Sequence, residues 1–204
     1  MFLEQFQVGP YQNFTYLVAD RPGGEGAVID PSFGIEPVIS AIDRHRLKIR
    51  HILVTHRHVD HHAGAADVRA RTGARVVAHA LAPIGQEVSV QDGEEFRSGP
   101  LTVRVIHTPG HTPDSVLYLI EDHLATGDTL FVGECGRVDL PESDPRAMYD
   151  SLLHRVLALD DRLIVLPGHD YGPTPTSTIG RERAENYTLK PRSLDEFLRF
   201  IRSE

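Results

Sequence analysis

The chain has 204 residues, 40% hydrophobic and 25% charged, enough apolar material for one substantial core and no compositional case for disorder. A formal charge of -8 with histidine neutral argues against a general nucleic-acid binder, because phosphate contacts need lysine and arginine in excess. Cys135 is the one cysteine, which excludes an intrachain disulfide and any cysteine-based zinc site.

Met1 to Gln7 shows no basic start followed by an apolar stretch, and no apolar run approaches the ~20 residues that span a bilayer. The expectation is a cytoplasmic protein that does not enter a membrane. Tyr16–Ala19 and Ala27–Asp30 read as strands of a hairpin around Pro22-Gly23-Gly24. Ile35, Val38, Ile39, Ile42 and Leu47 recur at helical spacing, and His51–Val54 forms the next strand. Residues 62–72 fit a helix that ends at Gly73. Strands follow at Arg75–Ala78, Leu101–His107, Val116–Ile120 and His123–Thr126. Asp144 as N-cap and Pro145 at the first helical position start a helix running to Leu159. Leu163–Leu166 is a last buried strand and Ser193–Ile201 a closing helix. Strands and helices distributed in this way suit one layered α/β domain over residues 1–204.

The most informative run is Thr55-His56-Arg57-His58-Val59-Asp60-His61, directly after the apolar strand Ile52-Leu53-Val54. His56 and His58, separated by one residue, project from the same side of an extended segment, and Asp60 and His61 lie where the chain turns toward a helix. Imidazole and carboxylate together suit zinc, iron or manganese. Three later strands run out in the same manner: His111 follows Pro109-Gly110, Asp128 follows Gly127, and His169 follows Pro167-Gly168. Glycine at such bends lets backbone approach a small site closely. Together these residues complete a coordination set, with His56, His58 and His111 around one metal, Asp60, His61 and His169 around a second, and Asp128 between them. Two metals ~3.5–4 Å apart can share a hydroxide and bring its pKa toward ~7, so no serine or cysteine nucleophile is required.

From Asn13-Phe14-Thr15-Tyr16-Leu17-Val18 and Val28-Ile29-Asp30 through THRHVDH at 55–61, TPGHT at 108–112, GDTLF at 127–131, CGR at 135–137 and PGHDY at 167–171, the chain resembles the metallo-β-lactamase superfamily, in its glyoxalase II and persulfide dioxygenase branch. The resemblance implies a four-layer αββα sandwich with the metals at one edge of the paired sheets. It implies a metal-dependent hydrolase similar to hydroxyacylglutathione hydrolase, in which metal-bound hydroxide attacks the thioester of a small thiol such as glutathione. Two divalent metals, zinc first and iron or manganese as alternatives, would serve it. Asp60 and Asp128 are then the catalytic carboxylates, with Asp60 both ligand and orienter of the hydroxide.

Familiar glyoxalase II proteins add a helical C-terminal region that helps bind glutathione, whereas about 35 residues follow His169 here. Cys135-Gly136-Arg137-Val138-Asp139-Leu140, His169-Asp170-Tyr171 and the stretch Ser177 to Arg183 are similar to persulfide dioxygenases. In that alternative His56, His111 and Asp128 form a two-histidine, one-carboxylate triad on a single Fe(II), and His58, Asp60, His61 and His169 orient ligands or move protons. A nonenzymatic metal-binding module is a third reading, disfavoured because structural zinc sites are closed and cysteine-rich.

Arg137 and Tyr171 are candidate substrate contacts; for Arg137, pairing with a nearby aspartate is an equal alternative. Cys135 reads as a small buried thiol near the site. Asp30 is either a support for a metal ligand or a strand-end turn, and His62 and His79 are candidate pocket residues. The expected partner is a small thiol-derived molecule, with a homodimer left open.

Overall fold

The structure, a computed structural model, describes residues 1–201. Twelve strands form two six-stranded sheets. The first contains β1 (Phe2–Val8), β2 (Asn13–Ala19), β3 (Glu25–Ile29), β4 (Lys48–Leu53), β5 (Arg75–His79) and β6 (Val88–Val90), adjacent in that order. The second runs from β12 (Ser177–Thr178) through β11 (Ile164–Pro167), β10 (His123–Gly127), β9 (Val116–Ile120) and β8 (Leu101–His107) to β7 (Glu95–Ser98). Helices α1 (Glu36–His45) and α2 (Ala65–Thr72) cover the outer face of the first sheet. Helices α3 (Pro145–Asp150), α4 (Ile179–Glu185) and α5 (Leu194–Ile201) cover the second. The molecule is therefore the expected αββα sandwich.

Alternation along the strands builds three apolar layers. Tyr16 and Val18 of β2 face the opposite sheet, where Val103, Val105, Val116 and Tyr118 meet them, while Leu17 and Ala19 face α1. On the other side Leu117, Leu124 and Val165 pack against Met148, Ile179 and Phe197 of the helices. β4 breaks the alternation once. Its pairing with β3 passes from Gly26↔Ile49 to Ala27↔His51, which skips Arg50. That bulge lets Ile49 and Ile52 both face the helices although they are three residues apart.

Two buried tyrosines tie the sheets together. The Tyr16 hydroxyl donates to the Pro167 carbonyl at 2.7 Å, and the Tyr118 hydroxyl donates to the Val54 carbonyl at 3.0 Å. Burial is the main reason both phenols are held well above their ordinary pKa. Both accepting carbonyls belong to segments that carry metal-ligand candidates.

The hairpin read at 16–19 and 27–30 is the antiparallel β2–β3 pair, with Tyr16 opposite Ile29. The helix read at 62–72 begins later, at Ala65, because a tight turn at Val59–His61 and the stretch to Gly64 come first. Gly64 packs so closely under Ser32 and Ile35 that a Cβ there would lie 2.6 Å from the Ser32 carbonyl. Asp144 caps α3 as expected, accepting from the Arg146 and Ala147 amides. Beyond Asp150 the helix widens at Ser151–Arg155 and tightens at Val156–Ala158, so the predicted single helix is a composite. Among the described residues no helix is long and apolar enough to cross a membrane.

Arg155 fixes this composite helix to the sheet edge. Its guanidinium holds Asp92 at 2.7 Å and also donates to the His107 carbonyl, while the Asp92 carboxylate accepts the His107 amide. The Arg155 hydrogen bond lowers the Asp92 pKa to about 2. A carboxylate with a depressed folded pKa contributes stability above its unfolded value, and that contribution disappears as pH falls through the folded one. Asp92→Asn should therefore flatten the loss of stability between about pH 4 and pH 2. At neutral pH the cost should stay below about 1 kcal/mol, since both partners are two-fifths or more exposed to solvent screening. Tyr118→Phe removes a fully buried hydrogen bond and should cost about 1–2 kcal/mol, read as a lower urea midpoint with unchanged slope.

Candidate metal centre

Strands β8, β10 and β11 run in one direction, since β9 is antiparallel to both β8 and β10, and β11 is parallel to β10. Their C-terminal ends therefore share an edge, and His111, Asp128 and His169 follow those ends. From the other sheet β4 runs into the 54–61 loop, and the Val116 amide joins it to the Thr55 carbonyl at 2.9 Å. All seven predicted ligands meet at this edge.

Asp30 shapes the loop. It follows β3 with φ 47°, a left-handed conformation that is strained for a residue with a Cβ. Its carboxylate accepts the Thr55 amide at 2.8 Å, the Thr55 hydroxyl at 2.7 Å and the His61 Nδ1–H at 3.0 Å. The Thr15 hydroxyl donates to its carbonyl at 2.6 Å. Asp30 thus braces both the Thr55 turn and the candidate ligand His61.

Each imidazole is anchored through its outer nitrogen. His111 Nδ1 donates to the Arg137 carbonyl and His169 Nδ1 to the Tyr11 carbonyl, both at 2.8 Å. His58 Nε2 bonds Glu142 at 2.9 Å, and His56 Nδ1 bonds the Thr55 hydroxyl at 3.1 Å. With the outer nitrogens donating, the inner ones carry lone pairs. Those inner atoms nearly touch. His58 Nδ1 is 3.0 Å from both His56 Nε2 and His111 Nε2, and His61 Nε2 is 3.2 Å from His169 Nε2. Where burial keeps the rings neutral, as at His56 and His111, acceptor faces acceptor, an arrangement that a cation resolves.

The carboxylates complete two groups. Asp128 Oδ2 lies 3.4 Å from His111 Nε2 and 3.4 Å from His169 Nε2, between the halves of the site. Its Oδ1 is buried with no hydrogen-bond partner among the described residues, 3.2 Å from His61 Nε2. Asp60 Oδ2 is 3.6 Å from His61 and from His169, and the Asn13 side-chain amide holds it at 2.8 Å. The groups able to enclose an ion are His56, His58 and His111; Asp60, His61 and His169; and His56, His61 and Asp128. The first two are the sets read from sequence. Burial chiefly holds the His56 and His111 pKa values low, which keeps these rings neutral and available as ligands. Burial also opposes charge on His61, but Asp128 and Asp30 outweigh it and raise its pKa. The donors present fit divalent metals bound through imidazole and carboxylate.

The candidate substrate residues stand differently. Tyr171 is 52% exposed at the mouth, its ring stacked on His169 at 4.7 Å and meeting Phe131 edge-on at 5.4 Å. The Arg137 guanidinium makes two 2.7 Å bonds to Asp139, so it is paired, and its carbonyl is the part that touches His111. It lines a cavity of about 650 Å³ together with Cys135, Val138, Asp139 and Pro145. Cys135 is buried, as expected. His62 bonds the Arg57 carbonyl, and His79 stacks on His107 at 4.1 Å.

The sequence reading missed Asn13, Thr55 and Phe131 as site residues, although all three lie in the runs that carried the resemblance. Glu142 and the Tyr11 carbonyl left no sequence signal, standing 84 and 158 residues from the histidines they hold.

The profile of the metallo-beta-lactamase superfamily matches residues 8–84 and 81–169. The chain belongs to the metallo-beta-lactamase superfamily. Within it, the mitochondrial persulfide dioxygenase ETHE1 of Homo sapiens is 31% identical over 92% of this chain and 75% of its own. The hydroxyacylglutathione hydrolase of Rhodospirillum rubrum is 37% identical over 90% of this chain and 72% of its own. The crystal structure of ETHE1 from Myxococcus xanthus superposes with a TM-score of 0.92 at 32% identity, covering 99% of this chain and 90% of that one.

Gly168 gives this superfamily site a direct test. A Cβ at residue 168 would lie 2.5 Å from Asp128 Oδ1 and 2.9 Å from the His61 ring. Gly168→Ala should lower bound metal per chain, measured by plasma emission spectrometry, while the far-ultraviolet circular dichroism spectrum stays that of the parent. Parental metal content in this variant would mean that the backbone has room there.

Proposed function

We propose that the chain is a metal-dependent hydrolase resembling hydroxyacylglutathione hydrolase, acting on thioesters of a small thiol such as glutathione. The observation that carries this reading is the pair of donor groups sharing the Asp128 carboxylate, a layout suited to two divalent cations. His56, His58 and His111 would hold one ion and Asp60, His61 and His169 the other, with zinc preferred and iron or manganese accommodated by the same donors. When bound, such ions supply Lewis acidity toward a carbonyl oxygen and lower the pKa of water toward neutrality.

The protein groups do the rest. The Asn13 amide fixes Asp60, so the carboxylate is aimed to accept a hydrogen bond from water on its way to the thioester carbon. Asp128 is held among His61, His111 and His169, where its negative charge would balance bound cations. At the mouth Tyr171, Tyr11 and Val59 are each more than half exposed. They offer an apolar rim to the carbon skeleton of an acyl thioester and place its carbonyl over the donors. Arg137 becomes a contact for substrate carboxylates if its pair with Asp139 opens.

The extent of the likeness to the Myxococcus xanthus ETHE1 structure favours one other reading, persulfide dioxygenase chemistry on a single Fe(II) held by His56, His111 and Asp128. The two are separated by product and co-substrate. Zinc-loaded protein offered a panel of glutathione thioesters should release free thiol, and Asp128→Ala should reduce the rate by at least about a hundredfold. Iron-loaded protein offered glutathione persulfide should leave dissolved oxygen unchanged at an electrode. Rapid oxygen uptake that Asp128→Ala abolishes would replace the hydrolase with the dioxygenase.

A further inference from the structure

Between His56 and His58 stands Arg57, whose side chain takes no part in the donor groups. Its Nε donates to Asp114 Oδ1 and its terminal nitrogen to the Leu81 carbonyl at 3.0 Å, while its own carbonyl accepts from His62 Nε2 at 3.0 Å. Asp114 is fully buried and Arg57 about a quarter exposed. Asp114 Oδ2 has no hydrogen-bond partner among the described residues, so its charge is answered by Arg57.

The position of Asp114 gives this pair its meaning. It lies three residues after His111 in a braced turn. The Thr112 amide and hydroxyl both meet the Ser115 hydroxyl, and the Thr108 amide donates to the Ser115 carbonyl. A force on Asp114 is thereby a force on His111. His56 and His58 leave the first sheet, and His111 leaves the second, so the three-nitrogen group closes only while these two loops stay in register.

The Asp60, His61 and His169 group is tied by different means. The Phe14 amide donates to the Gly168 carbonyl at 2.8 Å, the Asp170 amide to the Gln12 carbonyl at 2.9 Å, and Asn13 reaches Asp60 at 2.8 Å. The start of β2 therefore clamps that half, with no part played by the Arg57 side chain.

We infer that the Arg57–Asp114 ion pair is a positioning clamp for the His56, His58 and His111 half of the site, so that it sets the affinity of one metal and leaves the other alone. The inference deepens the two-metal reading above and rests on it. Arg57 is here a positioning residue for metal binding, acting through its neighbours in the chain.

The test is a titration of chelator-stripped protein with Zn(II) against a chromophoric chelator, for the parent, Asp114→Asn, and the double variant Arg57→Gln/Asp114→Asn. The double variant leaves no unpaired charge in the interior, so it keeps the comparison meaningful if the single change impairs folding. The parent should take two equivalents. In both variants one equivalent should keep its parental affinity, and the other should weaken by about 10- to 100-fold, the range for groups that orient metal ligands. Unchanged affinity at both sites, or an equal fall at both, overturns the clamp. A parent that takes only one equivalent would overturn the two-metal reading instead. The clamp is then decided by the single affinity, upheld if the variants lose it and overturned if they keep it.

Discussion

Lone pairs on neighbouring imidazoles repel, and a carboxylate buried among them adds negative charge that water cannot screen. At this centre five rings turn their inner nitrogens toward one another, some 3.0 Å apart, with the Asp128 and Asp60 carboxylates alongside. Such an arrangement persists only if each ring is held from behind and positive charge enters from within. The backing consists of the Arg137 and Tyr11 carbonyls, Thr55, Asp30 and Glu142. Much of the surrounding architecture serves to keep these atoms in place.

The sandwich meets that demand by ending β8, β10 and β11 at one edge and bringing the β4 loop against them from the facing sheet. Tyr16 and Tyr118 act as crossbars, each donating across the sheet interface to a carbonyl near the metal loops. The left-handed Asp30 is strain retained at the site, compensated by hydrogen bonds to three other parts of the centre. Glycine fills places where a side chain would intrude on the site, as at Gly168 beneath the Asp128 carboxylate and Gly136 against the Asp128 carbonyl. Stability and function thus draw on the same contacts.

The candidate ligand set was legible because imidazole and carboxylate are chemically distinctive, and four of the seven lie within six residues, 56 to 61. The remaining three follow strands through glycine, a pattern visible without coordinates. The outer anchors were not legible: a backbone carbonyl such as that of Tyr11 carries no residue signature, and Glu142 approaches His58 only once the sheets have packed. Among the elements, the buried central strands read clearly because they are nearly continuous apolar runs. β1, β6, β7 and β12 went unread, being half-polar or very short edge strands, as Glu95-Phe96-Arg97-Ser98 illustrates. Helix α4 was missed because Gly180 and four charged residues leave little apolar periodicity, even though Thr178 caps it by accepting the Arg181 amide.

As proposed above, the inward donors form two adjoining metal sites. Crystals of protein loaded with zinc, measured on both sides of the zinc absorption edge, test it without reference to any substrate. The account predicts two anomalous peaks at this edge of the sandwich, one among His56, His58 and His111 and one among Asp60, His61 and His169, with Asp128 between them. A single peak at full zinc loading, or peaks away from these residues, would contradict it.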